Sequence, residues 1–199
     1  MFRAAVATLL LLSTACLGAT QRYDASILGP MTGESLAGTY KEILDAPGPE
    51  VSLRIFSPGG ELISTLLFID LVRDRIAEKH LHVTCVVTGM AASAAAIVLE
   101  SPVCHERVME PQAVLMFHEG YLRGGGPMKA DDKAYMRSLN FAVAALIAPR
   151  MGLTPEQYLA WVADGVERWM NGPFAQDFHF VDRVEVWGKT SEVSSPPPL

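Results

Sequence analysis

One stretch of the sequence, TGMAASAAAIVLE at residues 88–100, constrains the fold more than any other. It follows a run rich in β-branched residues (83–87) and leads into consecutive alanines. β-Branched residues favour strands and alanine favours helices, so the pattern predicts a strand, a tight turn at Ser93 and a helix. Such a turn exposes a hydroxyl beside the N–H groups of a helix N-terminus, which suits a nucleophile. The alternative role for Ser93 is a helix cap.

Strand and helix patterns alternate along most of the chain. We predict strands at residues 24–28, 51–56, 82–87, 104–109, 113–117 and 181–187. Helices are predicted at 33–46, from about 61 to 79, directly after Ser93, at 128–148, from 154 to about 165, and as a single turn at 173–177. This alternation predicts an α/β fold with a largely parallel sheet and right-handed crossovers.

Residues 1–20 have the pattern of a secretory signal peptide, with one early basic residue and an apolar run too short to span a bilayer. This predicts a periplasmic domain at 21–189, followed by a disordered tail at 190–199. A lipoprotein signal is the alternative, in which a lipid on Cys16 tethers the chain to a membrane. The aliphatic residue that such signals prefer lies one place too far back, at Leu12, so the pattern favours plain secretion.

The charge and the cysteines limit the class of partner and the compartment. A formal net charge of −6 argues against a nucleic-acid partner, because phosphate backbones attract basic surfaces. Cys85 and Cys104 could pair in an oxidising periplasm or stay as buried free thiols. No metal site or cofactor is expected, because neither acids nor cysteines cluster with the other histidines: His80, His82, His105 and His179.

Three short motifs follow predicted strands: SPGG at 57–60, GMAAS at 89–93 and FHEG at 117–120. An α/β sheet binds its ligands at the carboxyl ends of the strands, so we expect these motifs to meet in one site. In that site Ser93 would be the nucleophile, and His118 would be the general base that accepts its proton.

Backbone donors for an oxyanion can be assigned within the same motifs. Gly59 and Gly60 have no Cβ, so their backbone can pass close to a substrate. The N–H groups of Gly60 and Ala94, the residue after the serine, could together form an oxyanion hole.

These residues resemble the proteolytic subunit of Clp protease, a family of serine peptidases with the ClpP/crotonase fold. The motifs SPGG and GMAASAAA and a strand that ends in histidine occur here in the order of that family. The resemblance runs from about residue 27 to 184 and implies repeated ββα and βα units with a C-terminal helical handle region. Position by position, it assigns Ser93 as the nucleophile and His118 as the base. It also assigns Gly60 and Ala94 as the oxyanion donors.

The third catalytic residue is where the sequence departs from the family. The family has an aspartate there, and its spacing from the histidine falls on Glu167, which the resemblance assigns as the acid that orients His118. Asp164 and Asp177 are the alternatives, and a surface carboxylate without a catalytic role is the simpler reading of each. The family usually has Gln-Pro after the histidine, whereas this chain has Glu-Gly.

The resemblance implies a serine-type peptidase that works through an acyl-enzyme. In the cytosolic family an ATP-driven unfoldase feeds a closed barrel of stacked rings. A periplasm has no ATP supply, so we expect ATP-independent cleavage of short or unfolded peptides without an unfoldase partner. The predicted helix at 128–148 matches the handle helix of the family, which pairs rings. A homo-oligomer is therefore also expected, with the apolar residues of this helix packed between subunits or against their own domain: Met136, Leu139, Val143 and Leu146. The alternatives are a catalytically inactive binding or scaffold protein of the envelope and an acyl-CoA enzyme of the crotonase group.

Overall fold

The computed structural model describes residues 23–121 and 129–187, apart from the side chain of Asp164. The predicted signal peptide, with Cys16, and the predicted tail at 190–199 lie outside the described residues. Within the described part of the chain, no helix has the length and apolar character needed to cross a bilayer.

Seven strands of the described residues form one sheet. They are β1 (Ala25–Leu28), β2 (Glu50–Ser57), β3 (His82–Ala92), β4 (Glu106–Met109), β5 (Val114–Phe117), β6 (Arg168–Asn171) and β7 (Arg183–Val184). The path β1-β2-β3-β4-β7 is parallel throughout, and β5 pairs in parallel with the end of β3. The short strand β6 runs antiparallel to β5. The predicted α/β class with a largely parallel sheet is confirmed.

Helices lie between or after these strands. They are α1 (Gly33–Leu44), α2 (Leu62–Lys79), α3 (Ala94–Glu100), α4 (Ala130–Ile147), α5 (Pro155–Val162) and α6 (Gly172–Asp177). Helices α1 and α5 begin at capping boxes, in which the hydroxyl of Thr32 or Thr154 accepts from a backbone N–H three residues later. The predicted helix start at residue 154 is therefore confirmed.

The helix that follows Ser93 lies entirely inside the molecule, since all seven residues of α3 are buried. Cys85 on β3 and Cys104, between α3 and β4, form a disulfide with their Cα atoms 5.4 Å apart. Of the two states that the sequence leaves open for these cysteines, the structure has the paired one. The disulfide ties the central strand to the chain that leaves α3.

The structure differs from the sequence prediction most clearly at β6, where no strand is predicted. Met170 is the one buried residue among its four, so the alternation that marks a strand in a sequence is weak. The strand forms because β5 pairs with it. Pairing also explains why β3 runs beyond the predicted end, since its last residues, up to Ala92, pair with β5. β7 is shorter than predicted.

The handle helix α4 packs largely against its own domain. Met136 and Val143 are buried within the chain, and Leu146 packs against the core. Leu139 lines the cleft described below. Of the two arrangements expected for these residues, the structure supports packing against the same domain.

Candidate active site

Ser93 occupies a strained turn between β3 and α3. Its backbone angles are φ 55° and ψ −123°, a region that non-glycine residues rarely adopt. The Ser93 N–H donates to the Met116 carbonyl on β5 over 2.8 Å, and the Ser93 carbonyl accepts from the Ile97 N–H over 3.2 Å. The side chain makes no cap hydrogen bond to α3. The hydroxyl therefore remains available to a base on the neighbouring strand.

His118 directly follows β5, which lies parallel beside the end of β3, so the residues after these two strands are neighbours. His118 Nε2 lies 2.7 Å from Ser93 Oγ. His118 Nδ1 lies 2.7 Å from the carbonyl oxygen of Glu119, and a carbonyl oxygen can only accept a hydrogen bond. We therefore assign the proton to Nδ1, which makes Nε2 the acceptor for the Ser93 hydroxyl.

The SPGG loop passes beside Ser93 so closely that only glycine fits there. Gly59 has φ +88°, and a Cβ on it would lie 2.8 Å from the Ala94 nitrogen and 2.8 Å from Ser93 Cβ. A Cβ on Gly60 would overlap the backbone of Met31, which forms a parallel bridge with Gly60. The approach of these two glycines to a substrate stays a prediction.

Two backbone N–H groups beside Ser93 have no acceptor among the described residues. The bridge at Met31 uses groups on either side of Gly60: the Met31 N–H donates to the Gly59 carbonyl over 2.9 Å, and the Glu61 N–H donates to the Met31 carbonyl over 2.8 Å. This leaves the N–H of Gly60, together with the N–H of Ala94 at the first position of α3. Unpartnered N–H donors beside a serine hydroxyl are what an oxyanion hole requires.

The predicted carboxylate partner of His118 is close but does not bind it. β5 and β6 pair Phe117 with Arg168. Extended by one residue, this register brings Glu167 opposite His118 at the end of the two strands. The Glu167 carboxylate instead accepts from Trp169 Nε1 over 2.9 Å. Glu167 therefore lines the cleft, yet no hydrogen bond joins it to His118 in the structure.

The two alternative acids do not take this place in the described contacts. Asp177 is exposed at the end of α6 and has no hydrogen bond to His118. The side chain of Asp164 lies outside the described residues. The expectation of a carboxylate at His118 Nδ1 is not met in this structure, because the Glu119 carbonyl occupies that position. A backbone carbonyl leaves no trace in a sequence pattern, since any residue supplies one.

Sequence reasoning also misses Asn140, a buried polar residue of α4 that hydrogen-bonds the two residues after His118. The sequence does contain one signal for it. Asn140 stands on the same face of α4 as Met136 and Val143, at helical spacing, and a polar residue on a buried apolar face needs a partner.

Ser93 and His118 open into a cleft of about 930 Å³. Its apolar walls come mainly from α4 and α5: Met136, Leu139, Val143, Tyr158, Leu159 and Val162. Three carboxylate residues also line it: Glu61, Glu119 and Glu167. The size and lining suit a small peptide segment. Across residues 23–121 and 129–187, no group of histidine, cysteine and acidic side chains is placed to hold a metal ion.

A buried ion cluster anchors the far end of α3. Glu100, the last residue of that helix, is fully buried, and its Oε2 accepts from Arg107 Nη1 over 2.6 Å. Arg107 also donates to both carboxylate oxygens of Asp182, over 2.8 and 3.2 Å. Burial raises the pKa of Glu100 to about 7 despite the charge of Arg107. Burial also acts to raise the pKa of Asp182, but hydrogen bonds from Arg107 outweigh it and hold that pKa below the usual value.

With this geometry established, comparison with known proteins identifies the family. The family profile described as Clp protease matches residues 42–186, well over half of the chain. The chain belongs to the Clp protease family. The predicted ClpP-like fold and the relationship to serine peptidases are thereby confirmed.

Individual relatives are similar at low identity. The ATP-dependent Clp protease proteolytic subunit 1 of Nocardia farcinica is 31% identical over 118 residues, which cover 57% of this chain and 56% of that protein. The corresponding subunit of Bacteroides fragilis is 26% identical over 149 residues, or 73% and 68% of the two chains. Proteolytic subunit 2 of Tropheryma whipplei is 26% identical over 144 residues, or 70% and 76%. The chain thus spans little more than half of the Nocardia relative.

Proposed function

We propose that this chain is a serine peptidase of the periplasm that cuts short or unfolded peptides without ATP. The observation that carries the proposal is the 2.7 Å hydrogen bond between Ser93 Oγ and His118 Nε2, on a strained turn beside two N–H groups that have no acceptor in the part of the chain that the structure describes. Most serines of a fold lack a base within hydrogen-bond reach, and the reactive ones have it.

In the proposed mechanism, Ser93 Oγ attacks the scissile carbonyl carbon while its proton passes to His118 Nε2. The N–H groups of Gly60 and Ala94 hold the oxyanion that forms. His118 then gives the proton to the leaving amine, the C–N bond breaks, and the acyl group stays on Ser93. Water attacks this ester with His118 again as the base, which releases a carboxylate and restores the serine.

The location belongs to the same proposal. The N-terminal sequence has the pattern of an export signal, and the disulfide between Cys85 and Cys104 is a bond that persists in oxidising compartments. Fractionation of producing cells followed by intact mass of the purified chain tests it. Periplasmic protein that has lost its signal peptide and carries no lipid supports secretion. A diacylglycerol adduct on Cys16 supports the membrane tether instead, and a cytosolic chain that keeps residues 1–20 contradicts both.

The proposed peptidase works without an ATPase because the periplasm has no ATP supply. The relatives named above are described as ATP-dependent. The purified chain, freed of residues 1–20, is expected to hydrolyse fluorogenic peptides and an unfolded protein in buffer free of nucleotide. A folded substrate of the same composition should stay intact, because nothing unfolds it. Hydrolysis that appears only after a Clp ATPase and ATP are added would contradict ATP independence.

Assembly into a homo-oligomer is also proposed. Clp protease family members are typically oligomeric. On α2 of this chain, Ile63, Leu67 and Leu71 are exposed at a spacing of four residues, so they form an apolar stripe that a neighbouring copy could cover. Sedimentation velocity of the purified chain gives the mass of the assembly, and a monomer at micromolar concentration would exclude this part of the proposal.

One observation favours a second candidate, a catalytically inactive binding or scaffold protein. The carboxylate of Glu167 bonds Trp169 and not His118, so none of the described carboxylates takes the acidic place of a serine triad. The close Ser93–His118 pair argues for catalysis, since a scaffold needs neither residue. Failure of the purified chain to react with any serine-directed probe would favour the scaffold.

A further inference from the structure

The side chain of Asn140 hydrogen-bonds the segment that follows His118. Asn140 is a residue of α4 with only 6% of its surface exposed. Its Oδ1 accepts from the Gly120 N–H over 3.0 Å. Its Nδ2 donates to Glu119 Oε1 over 3.1 Å and to the Gly120 carbonyl over 3.3 Å. One buried amide thus makes three hydrogen bonds to two consecutive residues, and loss of such an amide leaves buried polar groups without partners.

The peptide unit between Glu119 and Gly120 connects this amide to the base. Its carbonyl, that of Glu119, accepts from His118 Nδ1, and its N–H, that of Gly120, donates to Asn140. A peptide unit is planar, so fixing the N–H also fixes the direction of the carbonyl. Hydrogen bonds in series polarise one another, so the bond at the N–H also makes the carbonyl a better acceptor.

Glycine at position 120 belongs to the same arrangement. A Cβ on Gly120 would lie 2.8 Å from Asn140 Oδ1, which is too close for a carbon and an oxygen that are not hydrogen-bonded. The proline that the family usually has two residues after the histidine would have no N–H to donate. The Glu-Gly sequence after His118 and the amide of Asn140 therefore depend on each other.

We infer that Asn140 is a positioning residue for His118, acting through the Glu119–Gly120 peptide in the role that a triad carboxylate has in other serine peptidases. The inference rests on the proposed peptidase function. The amide of Asn140 directs the Glu119 carbonyl at His118 Nδ1. This carbonyl keeps the proton on Nδ1, so Nε2 is unprotonated and can accept from the Ser93 hydroxyl.

The test compares Asn140→Leu and Asn140→Ala with a matched control on the same helix, Ser138→Ala. Ser138 is exposed and its hydroxyl bonds only the Ala134 carbonyl in the described residues. For the Asn140 variants we expect kcat for a fluorogenic peptide to fall about 10²-fold with KM unchanged, because a misdirected base slows chemistry and not binding. The rate of reaction with a fluorophosphonate should fall by the same factor, and thermal melts show that the variants are folded.

A double-variant cycle keeps the inference testable if Asn140→Leu does not fold. Gly120→Ala alone should lower kcat because its Cβ displaces the amide, whereas Gly120→Ala combined with Asn140→Ala should be no worse than Asn140→Ala. The inference would be overturned if the losses of kcat in Gly120→Ala and Asn140→Ala multiply in the double variant. It would also be overturned if folded Asn140→Ala keeps the full kcat. A wild-type chain that never reacts at Ser93 would contradict the proposed function, whereas equal reaction of the wild type and Asn140→Ala would contradict this inference alone.

Discussion

Replacing Ser93 with alanine is expected to lower kcat/KM for a fluorogenic peptide at least about 10³-fold. In the proposed mechanism, the hydroxyl is the only group of the protein that forms a covalent carbon–oxygen bond to the substrate. Its alanine variant keeps the oxyanion donors and the apolar cleft, so substrate binding should persist while turnover stops. Initial rates across substrate concentrations measure the loss.

The matched control for this prediction is Ser138→Ala, which removes the same hydroxyl from an exposed site on α4. It should leave kcat/KM unchanged. His118→Ala should cost nearly as much as Ser93→Ala, and the double variant should be no worse than either, because the two residues act as one unit. Turnover that survives in Ser93→Ala would show that another group of the chain is the nucleophile.

Replacing Arg107 with methionine is expected to lower the free energy of unfolding by about 3–5 kcal/mol, the largest effect on stability that we predict. Arg107 is the hydrogen-bond partner of Glu100, which has no exposed surface. Without the guanidinium, a buried carboxyl group has no partner, and Asp182 loses its bidentate contact as well. Urea unfolding of the oxidised protein at pH 7 measures the change.

The second variant of this pair is Glu100→Gln with Arg107→Met, which removes the buried charge together with its partner. It should recover part of the lost stability, because Arg107→Met alone forces the buried Glu100 carboxyl group to take up a proton at pH 7, whereas the amide of glutamine is neutral without one. Equal stability of Arg107→Met and the wild type would show that the ion cluster does not hold α3.

The same carboxyl group predicts how stability changes with pH. Its pKa is raised by burial from 4.5 to about 7, so between these values the folded chain keeps a proton that the unfolded chain releases. The stabilising proton is fully present below pH 4.5 and its effect is lost as pH rises to 7, a change of roughly 3 kcal/mol. Asp182 affects stability at lower pH and in the opposite direction. Its pKa is held below the ordinary 3.8, so the stability that it contributes is lost only as pH falls below that value. Glu100→Gln should therefore flatten the decline in stability between pH 4.5 and 7, and an unchanged decline would contradict the assignment.

The sequence predicted the meeting of Ser93 and His118 for a physical reason that needs no alignment. Both follow strands of a parallel sheet, and the ends of neighbouring parallel strands lie at one edge. Gly59 was named from the sequence for a close approach to a substrate, and the structure adds that a Cβ there would collide with the backbone at Ala94. The parallel α/β class followed from the alternation of strand and helix patterns.

The orientation of His118 was not predictable from the sequence. The spacing assigns Glu167 to that role, but a side chain with three rotatable bonds has several directions open to it, and here it turns to Trp169. The acceptor that His118 has is a backbone carbonyl, which every residue carries. Strand β6 was missed for a related reason: its partner in pairing, and not its own pattern of buried residues, makes it a strand.

The central claim is that Ser93 is the nucleophile, and the most direct measurement is the intact mass of the chain after reaction with a fluorophosphonate. The account predicts one adduct on each wild-type chain, located by peptide mapping at Ser93, and no adduct on Ser93→Ala. An adduct on another residue, an equal adduct on Ser93→Ala, or an unmodified wild-type chain would contradict it.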